Sequence, residues 1–212
     1  MPQQARAEIT RKQVMEGAAR SFDKLGFGGA SLSGILAYAN VTKGALYFHF
    51  DSKEALAQAI IGEQHAMAME GAGRAVAASS TATEAIIRSG HEMARQLMEE
   101  PIARAGIRLS LEIGVTEHPD KKPFIDWADA VAQMAAQAVK DGELRPSVDA
   151  AGLGRVLSSS FTGLQLVSQA MCGRADLFDR LAELWRFILP GIATEESLPR
   201  LLEIATSDPT PV

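Results

Sequence analysis

Apolar residues recur at intervals of three and four positions along almost the whole chain, which is the spacing of one face of an α-helix. The first such stripe, Val14, Ala18, Phe22 and Leu25, predicts a core-facing helix that ends near Gly26. Similar stretches predict further helices at about residues 33–39, 43–49, 52–72, 82–99, 101–112, 122–140, 149–171, 177–189 and 196–205. The pattern therefore predicts an all-α protein.

Polar residues and prolines indicate where several of these helices begin and end. Thr42 follows a tight turn and is a candidate N-cap. Asp51, with Glu54 three residues later, has the spacing of a capping box, which predicts Asp51 as the cap of the long helix. Pro190 is expected to end the helix predicted at 177–189, because a proline inside a helix removes a backbone donor.

Residues 33–50 have the layout of a helix-turn-helix, in which the second of two short helices can enter a major groove. The second helix directs three apolar residues toward the first helix and the core: Val41, Leu46 and Phe50. Lys43 and Tyr47 lie one turn apart on the other face. Lys43 can donate to guanine or to a phosphate, but spacing alone leaves an ordinary pair of surface helices equally plausible.

Composition and charge fit a globular protein with a slightly basic N-terminal part. The chain has 212 residues, 47% of them apolar, and a net charge of −5. Residues 1–55 carry a net charge of +2, and the remainder carries −7. The single cysteine, Cys172, excludes an intrachain disulfide and is expected to be a small buried apolar residue. Without a signal peptide or a membrane-spanning segment, we expect a cytoplasmic protein with no membrane partner.

The chain shows no pattern that is typical of catalysis or of metal binding. Its four histidines, His49, His65, His91 and His118, lack metal-ligand spacing, and no serine lies in a nucleophile elbow. We therefore expect no enzyme activity, no cofactor and no bound metal.

Two segments of the N-terminal quarter, AARSFDKLGFGGASL at 18–32 and VTKGALYFHFDSKEAL at 41–56, resemble the signature of the TetR family of repressors. The resemblance implies a three-helix DNA-binding domain at 1–53, a helical ligand-binding and dimerisation domain at 54–212, and a homodimer on a near-palindromic double-stranded operator. It implies that Lys43, Gly44 and Ala45 approach bases and that Ser33, Thr42, Tyr47, His49 and Lys53 hold phosphates. Arg6 in the leading arm adds a minor-groove or phosphate contact.

Three later segments, ARAGIRLS at 103–110, FIDW at 124–127 and FTGLQLVSQ at 161–169, resemble the γ-butyrolactone autoregulator receptors of actinobacteria. That branch of the family implies a small lactone or a related butenolide, such as avenolide, as effector, and control of antibiotic genes. It also implies that Trp127 stacks over the lactone, whereas its place on the apolar stripe Phe124, Trp127, Val131 and Met134 alone would favour an ordinary core residue.

The remaining candidate ligand-binding residues come from the pattern of polar and apolar positions. Gln64 interrupts an apolar stripe and either binds the ligand or is satisfied by the protein itself. Thr162 and Gln165 lie one turn apart on the uncharged stretch 156–173, and this helix either lines a pocket or packs against its twin in a dimer. Three apolar residues are candidate pocket walls: Leu109, Val131 and Phe161.

The main hypothesis is a repressor that its ligand releases from DNA. The alternatives within regulation are a sensor of bulky cations that controls an efflux pump, and an orphan receptor that responds to another small hydrophobic ligand. An all-α enzyme with a DNA-binding appendage and a non-specific architectural DNA protein are disfavoured by the missing catalytic groups and by the acidic net charge.

Overall fold

The computed structural model describes residues 2–113 and 121–207, and all regular structure in these ranges is α-helical. Ten helices follow one another: α1 (Pro2–Gly29), α2 (Leu32–Ala39), α3 (Lys43–His49), α4 (Lys53–Ala78), α5 (Ala82–Glu99), α6 (Pro101–Ile113), α7 (Lys122–Lys140), α8 (Ala150–Cys172), α9 (Leu177–Ile192) and α10 (Leu198–Thr206). The predicted all-α class is confirmed. In the described ranges, the β-type pairing consists of one isolated bridge between Leu144 and Ala193.

The first helix breaks where the sequence predicts its end. Gly26 has φ 72° and ψ 178°, a conformation that favours glycine, and helical backbone then resumes up to Gly29. Leu25 was expected in the core, but 46% of it is exposed. The prediction for Leu25 is wrong because the chain changes direction at Gly26, and Phe27 packs against Phe22 with ring centroids 6.1 Å apart.

Three further local expectations are also corrected. The helix α4 begins after Ser52, whose hydroxyl accepts a hydrogen bond from the Ala55 amide at 3.1 Å, so Ser52 provides the cap that was predicted for Asp51. Pro190 lies inside α9, which continues to Ile192 despite the missing donor. Cys172, at the end of α8, is exposed rather than buried, because it lies where α8 gives way to a turn.

The first of two compact units comprises Met1–Met67 and Glu99–Lys121. It contains the three N-terminal helices, the first part of α4, and α6, which packs against α1. Its buried core consists of Val14, Met15, Ala18, Ala19, Phe22, Ala30, Ile35, Leu46, Phe50, Leu56, Ala57, Ile60, Ile61, Ala105 and Leu109. The helix-turn-helix is therefore supported by side chains of α4 and α6.

The second compact unit comprises Ala68–Met98 and Lys122–Val212. The helices α7 and α8 form its most extensive contact, and they approach so closely that a Cβ at Gly154 would overlap the Ala128 carbonyl oxygen. Arg200 of α10 pairs with Glu84 and Glu143. The division between the units falls within α4, while the domain boundary after residue 53 stays a prediction. Among the described residues, no helix is both long and apolar enough to cross a membrane.

Candidate functional site

The second helix of the helix-turn-helix presents the two faces that the sequence predicts. Asn40 adopts the left-handed conformation between α2 and α3, with φ 52°. Leu46 and Phe50 are buried, and both Lys43 and Tyr47 lie on the exposed side. The Lys43 ammonium lies 5.8 Å from the centre of the Tyr47 ring, which places a cation and a hydroxyl side by side on the surface.

The other candidate phosphate ligands surround this surface in different environments. The Thr42 hydroxyl accepts from the Ala45 amide at 3.2 Å, so it caps α3 and keeps its own proton for an outside acceptor. The Ser33 hydroxyl is exposed and lies 3.1 Å from that of Ser31. His49 is half-buried, and Arg6 is exposed on α1.

Lys53 has a structural role that the sequence did not reveal. Its ammonium donates to the carbonyl oxygens of Phe27 at 2.8 Å and Ala30 at 3.1 Å, and it lies 4.3 Å from the centre of the Phe27 ring. The side chain therefore ties the start of α4 to the segment between α1 and α2. A phosphate contact by Lys53 stays a prediction, and would use the remaining ammonium proton.

Side chains of α6 hold the break in α1, which was also missed from the sequence. Arg104 pairs with the Asp23 carboxylate at 2.8 Å, and Arg108 donates to the Asp23 carbonyl oxygen at 2.6 Å. Glu112 accepts from the Phe27 amide at 2.7 Å. Positions 104, 108 and 112 recur once per turn, so the signal in the sequence was a charged stripe on one face of α6.

Three of the predicted ligand-binding residues, Trp127, Val131 and Phe161, line one small apolar cavity within the second unit. Its other walls are Ile86, Gly90, Leu157, Leu181, Leu184 and Trp185. The cavity volume is about 20 Å³, enough for a single water molecule. Pockets for small organic ligands usually measure hundreds of Å³, so a lactone would enter only after these helices move apart.

Trp185 is a candidate ligand-binding residue that was not singled out in the sequence. It is 3% exposed, and its indole nitrogen has no hydrogen-bond partner among the described residues. A buried N–H without an acceptor is uncommon and is a natural donor for a ligand oxygen. It lies on the apolar stripe of α9 with Leu181 and Leu189, a pattern that is also typical of an ordinary core residue.

The structure does not bring the two polar candidates of α8 to this cavity. Thr162 lines an open groove of about 710 Å³ between α7 and α8, and its hydroxyl donates to the Ser158 carbonyl oxygen at 2.9 Å. Gln165 is fully buried and accepts from Arg174 at 3.2 Å. The Gln165 amide nitrogen has no partner within the described ranges, so it remains a possible donor to a ligand.

The last two candidates, Gln64 and Leu109, belong to the first unit. Gln64 of α4 is buried against Gly106 of α6. A Cβ added at Gly106 would overlap the Gln64 side chain, so the two helices are in close contact there. Leu109 is fully buried in the core that supports the helix-turn-helix. Both side chains thus pack within the first unit, and a contact of either one with a ligand stays a prediction.

Several helices of the second unit expose large apolar side chains to solvent, and α8 and α9 carry the most exposed of them. On α8 these are Val156, Leu166, Val167 and Met171, and on α9 it is Phe187. A group of exposed apolar residues on two neighbouring helices is typical of a surface that another protein covers. In the described part of the chain, no group of three His, Cys, Asp or Glu side chains could hold a metal ion, and His118 lies outside it.

Comparisons with known proteins connect both units to bacterial regulators. The family described as "Bacterial regulatory proteins, tetR family" matches residues 14–60, and "Tetracyclin repressor-like, C-terminal domain" matches residues 80–194. The chain is 43% identical to the A-factor receptor protein of Streptomyces griseus over 194 residues, which are 91% of this chain and 67% of that protein.

Solved structures show the same similarity over nearly the whole chain. A γ-butyrolactone receptor (ArpA-like protein) superposes with a TM-score of 0.83 at 33% identity, covering 94% of this chain and 96% of that one. The TetR family protein CprB from Streptomyces coelicolor, solved in complex with its operator sequence, gives a TM-score of 0.80 at 32% identity, with coverages of 94% and 96%.

Proposed function

Because this chain belongs to the TetR family of bacterial regulators, we propose that it is a homodimeric repressor that a γ-butyrolactone or a related butenolide releases from a palindromic operator. In this role it controls genes for antibiotics or other secondary metabolites, acts in the cytoplasm, and performs no catalysis. The observation that carries the proposal is the extent of the similarity to the A-factor receptor, which reaches across both units over 194 residues.

The recognition surface on α3 supports the DNA-binding half of the proposal. Lys43, Gly44 and Ala45 form the first turn of α3, the part of a recognition helix that usually approaches base edges. Tyr47 and Thr42 offer hydroxyl donors beside this turn. An operator recognised in this way has half-sites about one helical turn apart, because two copies present two such helices.

The cavity lined by Trp127 supports the effector half. All nine lining residues are uncharged, which suits a neutral lactone and disfavours the bulky cations that an efflux regulator would sense. Because the cavity admits about one water molecule, a larger ligand must displace at least one of the four helices that line it, α5, α7, α8 and α9. A ligand that binds only the enlarged form shifts the protein toward that form.

The helix α4 is the element through which this shift can reach DNA. It contributes Lys53 and Gln64 to the first unit and its residues from Ala68 onward to the second. Release is complete only if the ligand prefers the conformation that does not bind DNA by about 10⁴-fold. The homodimer would form through the exposed apolar side chains of α8 and α9, as in the dimerisation predicted for this part of the chain.

A gel-shift titration tests both halves together. Promoter fragments that contain near-palindromic sequences are mixed with the protein, and a synthetic γ-butyrolactone or butenolide is then added. We expect a specific shifted band that disappears as the ligand is added. Retention of the band at saturating ligand would favour the orphan or efflux alternative, and absence of any band would remove the repressor function.

A further inference from the structure

The recognition helix α3 also exposes a large apolar side chain that is not among the predicted DNA contacts. Phe48 of α3 is 78% exposed. It follows the fully buried Leu46 by two residues, or about 200° around the helix, so its ring is directed away from the core. Phenylalanine has no hydrogen-bond donor, so Phe48 cannot bind a phosphate oxygen as the neighbouring polar side chains can.

The neighbours of Phe48 make this part of α3 apolar. Gly44 lies one turn earlier on the same side, and a Cβ placed there would meet nothing within 4 Å. Neither Gly44 nor Ala45 has a hydrogen-bonding side chain, so the surface of α3 on the N-terminal side of Phe48 has no polar side-chain group. We call these three residues, Gly44, Ala45 and Phe48, the apolar face of α3.

Polar residues flank the apolar face on both sides. Lys43 and Tyr47 lie on one side of it, with the Lys43 ammonium 5.8 Å from the Tyr47 ring centre. His49 lies on the other side, and its ring meets the Phe48 ring edge-on, with centroids 4.9 Å apart and an interplanar angle of 87°. This contact restricts the orientation of the Phe48 ring before any DNA is bound.

In the major groove, thymine is the base whose edge carries an apolar group, the 5-methyl. A protein face without donors or acceptors can therefore distinguish bases mainly through that methyl group. We infer that Phe48 is a specificity-determining residue that contacts a thymine 5-methyl group in each operator half-site. The inference rests on the proposed function, since it requires that α3 enter the major groove.

The experiment compares thymine with uracil, which lacks only the methyl group. The full-length protein first selects its operator from a library of random duplexes, and each thymine of the selected half-site is then replaced by uracil. For the wild type, we expect one position to weaken binding about fourfold, which corresponds to the ~0.8 kcal/mol of one buried methyl-sized group. For Phe48→Ala, binding to the thymine operator is weaker, and the thymine-to-uracil ratio at that position falls to about one.

Two control variants show whether the preference for thymine over uracil depends on Phe48 in particular. Tyr47→Phe removes a predicted phosphate donor and should weaken binding to the thymine and uracil operators equally. Leu25→Ala shortens another exposed apolar side chain of the first unit and should leave both affinities as they are. Thermal unfolding of Phe48→Ala should match the wild type, because the ring contributes little to the core.

Each outcome has a distinct meaning. If the wild type selects no sequence from the library, the proposed function fails and the inference fails with it. If a sequence is selected but uracil is tolerated at every position, the inference alone is wrong. It is also wrong if Phe48→Ala keeps the uracil penalty, because another side chain then contacts the methyl group.

Discussion

The recognition surface and the Trp127 cavity differ in how ready each is for its ligand. On α3, Lys43 and Tyr47 are exposed, and the Thr42 hydroxyl already caps the helix that carries them. In the second unit, three residues predicted to bind the effector, Trp127, Val131 and Phe161, line a cavity of about 20 Å³. If these predicted residues bind the two ligands, the side chains of α3 are already accessible to DNA, whereas the cavity must open to admit an effector.

This difference suggests how a neutral ligand could act on DNA binding. A ligand changes an equilibrium only through its different affinities for two conformations. A pocket that was already open would accept the ligand in both conformations and would produce little response. A closed cavity makes the opening of the second unit a requirement of binding, so the free energy of the ligand is coupled to movement of helices.

The largest expected effect is a loss of folding stability in acid, and it comes from a histidine of the second unit. Burial of His91 in the second unit lowers its pKa to about 4 from an ordinary 6.5. The unfolded chain then takes up a proton on this group below pH 6.5, while the folded chain does not until about pH 4. The free energy of unfolding is therefore unaffected by the titration of His91 above pH 6.5, and it falls by about 3 kcal/mol as the pH decreases from 6.5 to 4.

Urea unfolding at pH 7.5, 5.5 and 4.5 measures this loss. In His91→Gln, the free energy of unfolding should change less with pH than in the wild type. His65→Gln changes a histidine of the first unit and serves as the control. Glu92 acts at lower pH. Its burial would raise the pKa, but hydrogen bonds from Arg95 and Arg74 outweigh it and lower the pKa to about 2. If the His91→Gln protein loses as much stability as the wild type between pH 7.5 and 4.5, the pH dependence does not come from His91.

The next effect is on effector affinity. Trp127→Ala removes the largest predicted contact surface of the cavity, and we expect ligand affinity to fall by at least ~2 kcal/mol, or about thirtyfold. Operator binding without ligand should be unchanged, because Trp127 belongs to the second unit and the recognition surface to the first. Isothermal titration with a synthetic γ-butyrolactone measures the loss. Normal lactone affinity in Trp127→Ala would place the effector elsewhere, with the groove at Thr162 as the next site to test.

The reciprocal effect is on operator affinity. Lys43→Ala should weaken specific binding by roughly 1–3 kcal/mol and leave lactone affinity unchanged. Fluorescence anisotropy at a fixed salt concentration measures this effect, since phosphate contacts depend strongly on salt. Lys24→Ala removes a charge from an exposed position of α1 and is the matched control. Equal losses from the two variants would mean that Lys43 contributes only general charge.

The sequence predicted the buried and exposed faces of α3 better than the set of residues that line the cavity, for a physical reason. The faces of α3 follow from helical spacing alone, because the burial of Leu46 and the exposure of Lys43 are properties of a single short helix. The cavity depends on how α5, α7, α8 and α9 pack, and no spacing within one helix determines that packing. Thus Val131 and Phe161, two predicted walls of a ligand pocket, line the same cavity as Trp127, while Thr162, one residue after Phe161, faces a different groove.

Long-range polar contacts were missed for the same reason. Lys53 could be identified as a basic residue near the recognition helix, but its bonds to Phe27 and Ala30 depend on the break at Gly26. The pairing of Arg104 with Asp23 joins residues that are far apart in the chain. Such contacts leave only a periodic pattern of charge in the sequence, which also fits an exposed, solvated helix face.

The smallest expected effect tests whether the indole N–H of Trp185 donates a hydrogen bond to the effector. Trp185→Phe keeps an aromatic ring but removes the indole N–H, which has no partner among the described residues. If this N–H donates to a ligand oxygen, affinity should fall about fivefold, or ~1 kcal/mol, in the same titration. Stability without ligand should not fall by a comparable amount, because no hydrogen bond is lost from the free protein. A variant that loses stability but keeps lactone affinity would assign Trp185 to the core, and only apolar contacts from this cavity would then remain to bind the effector.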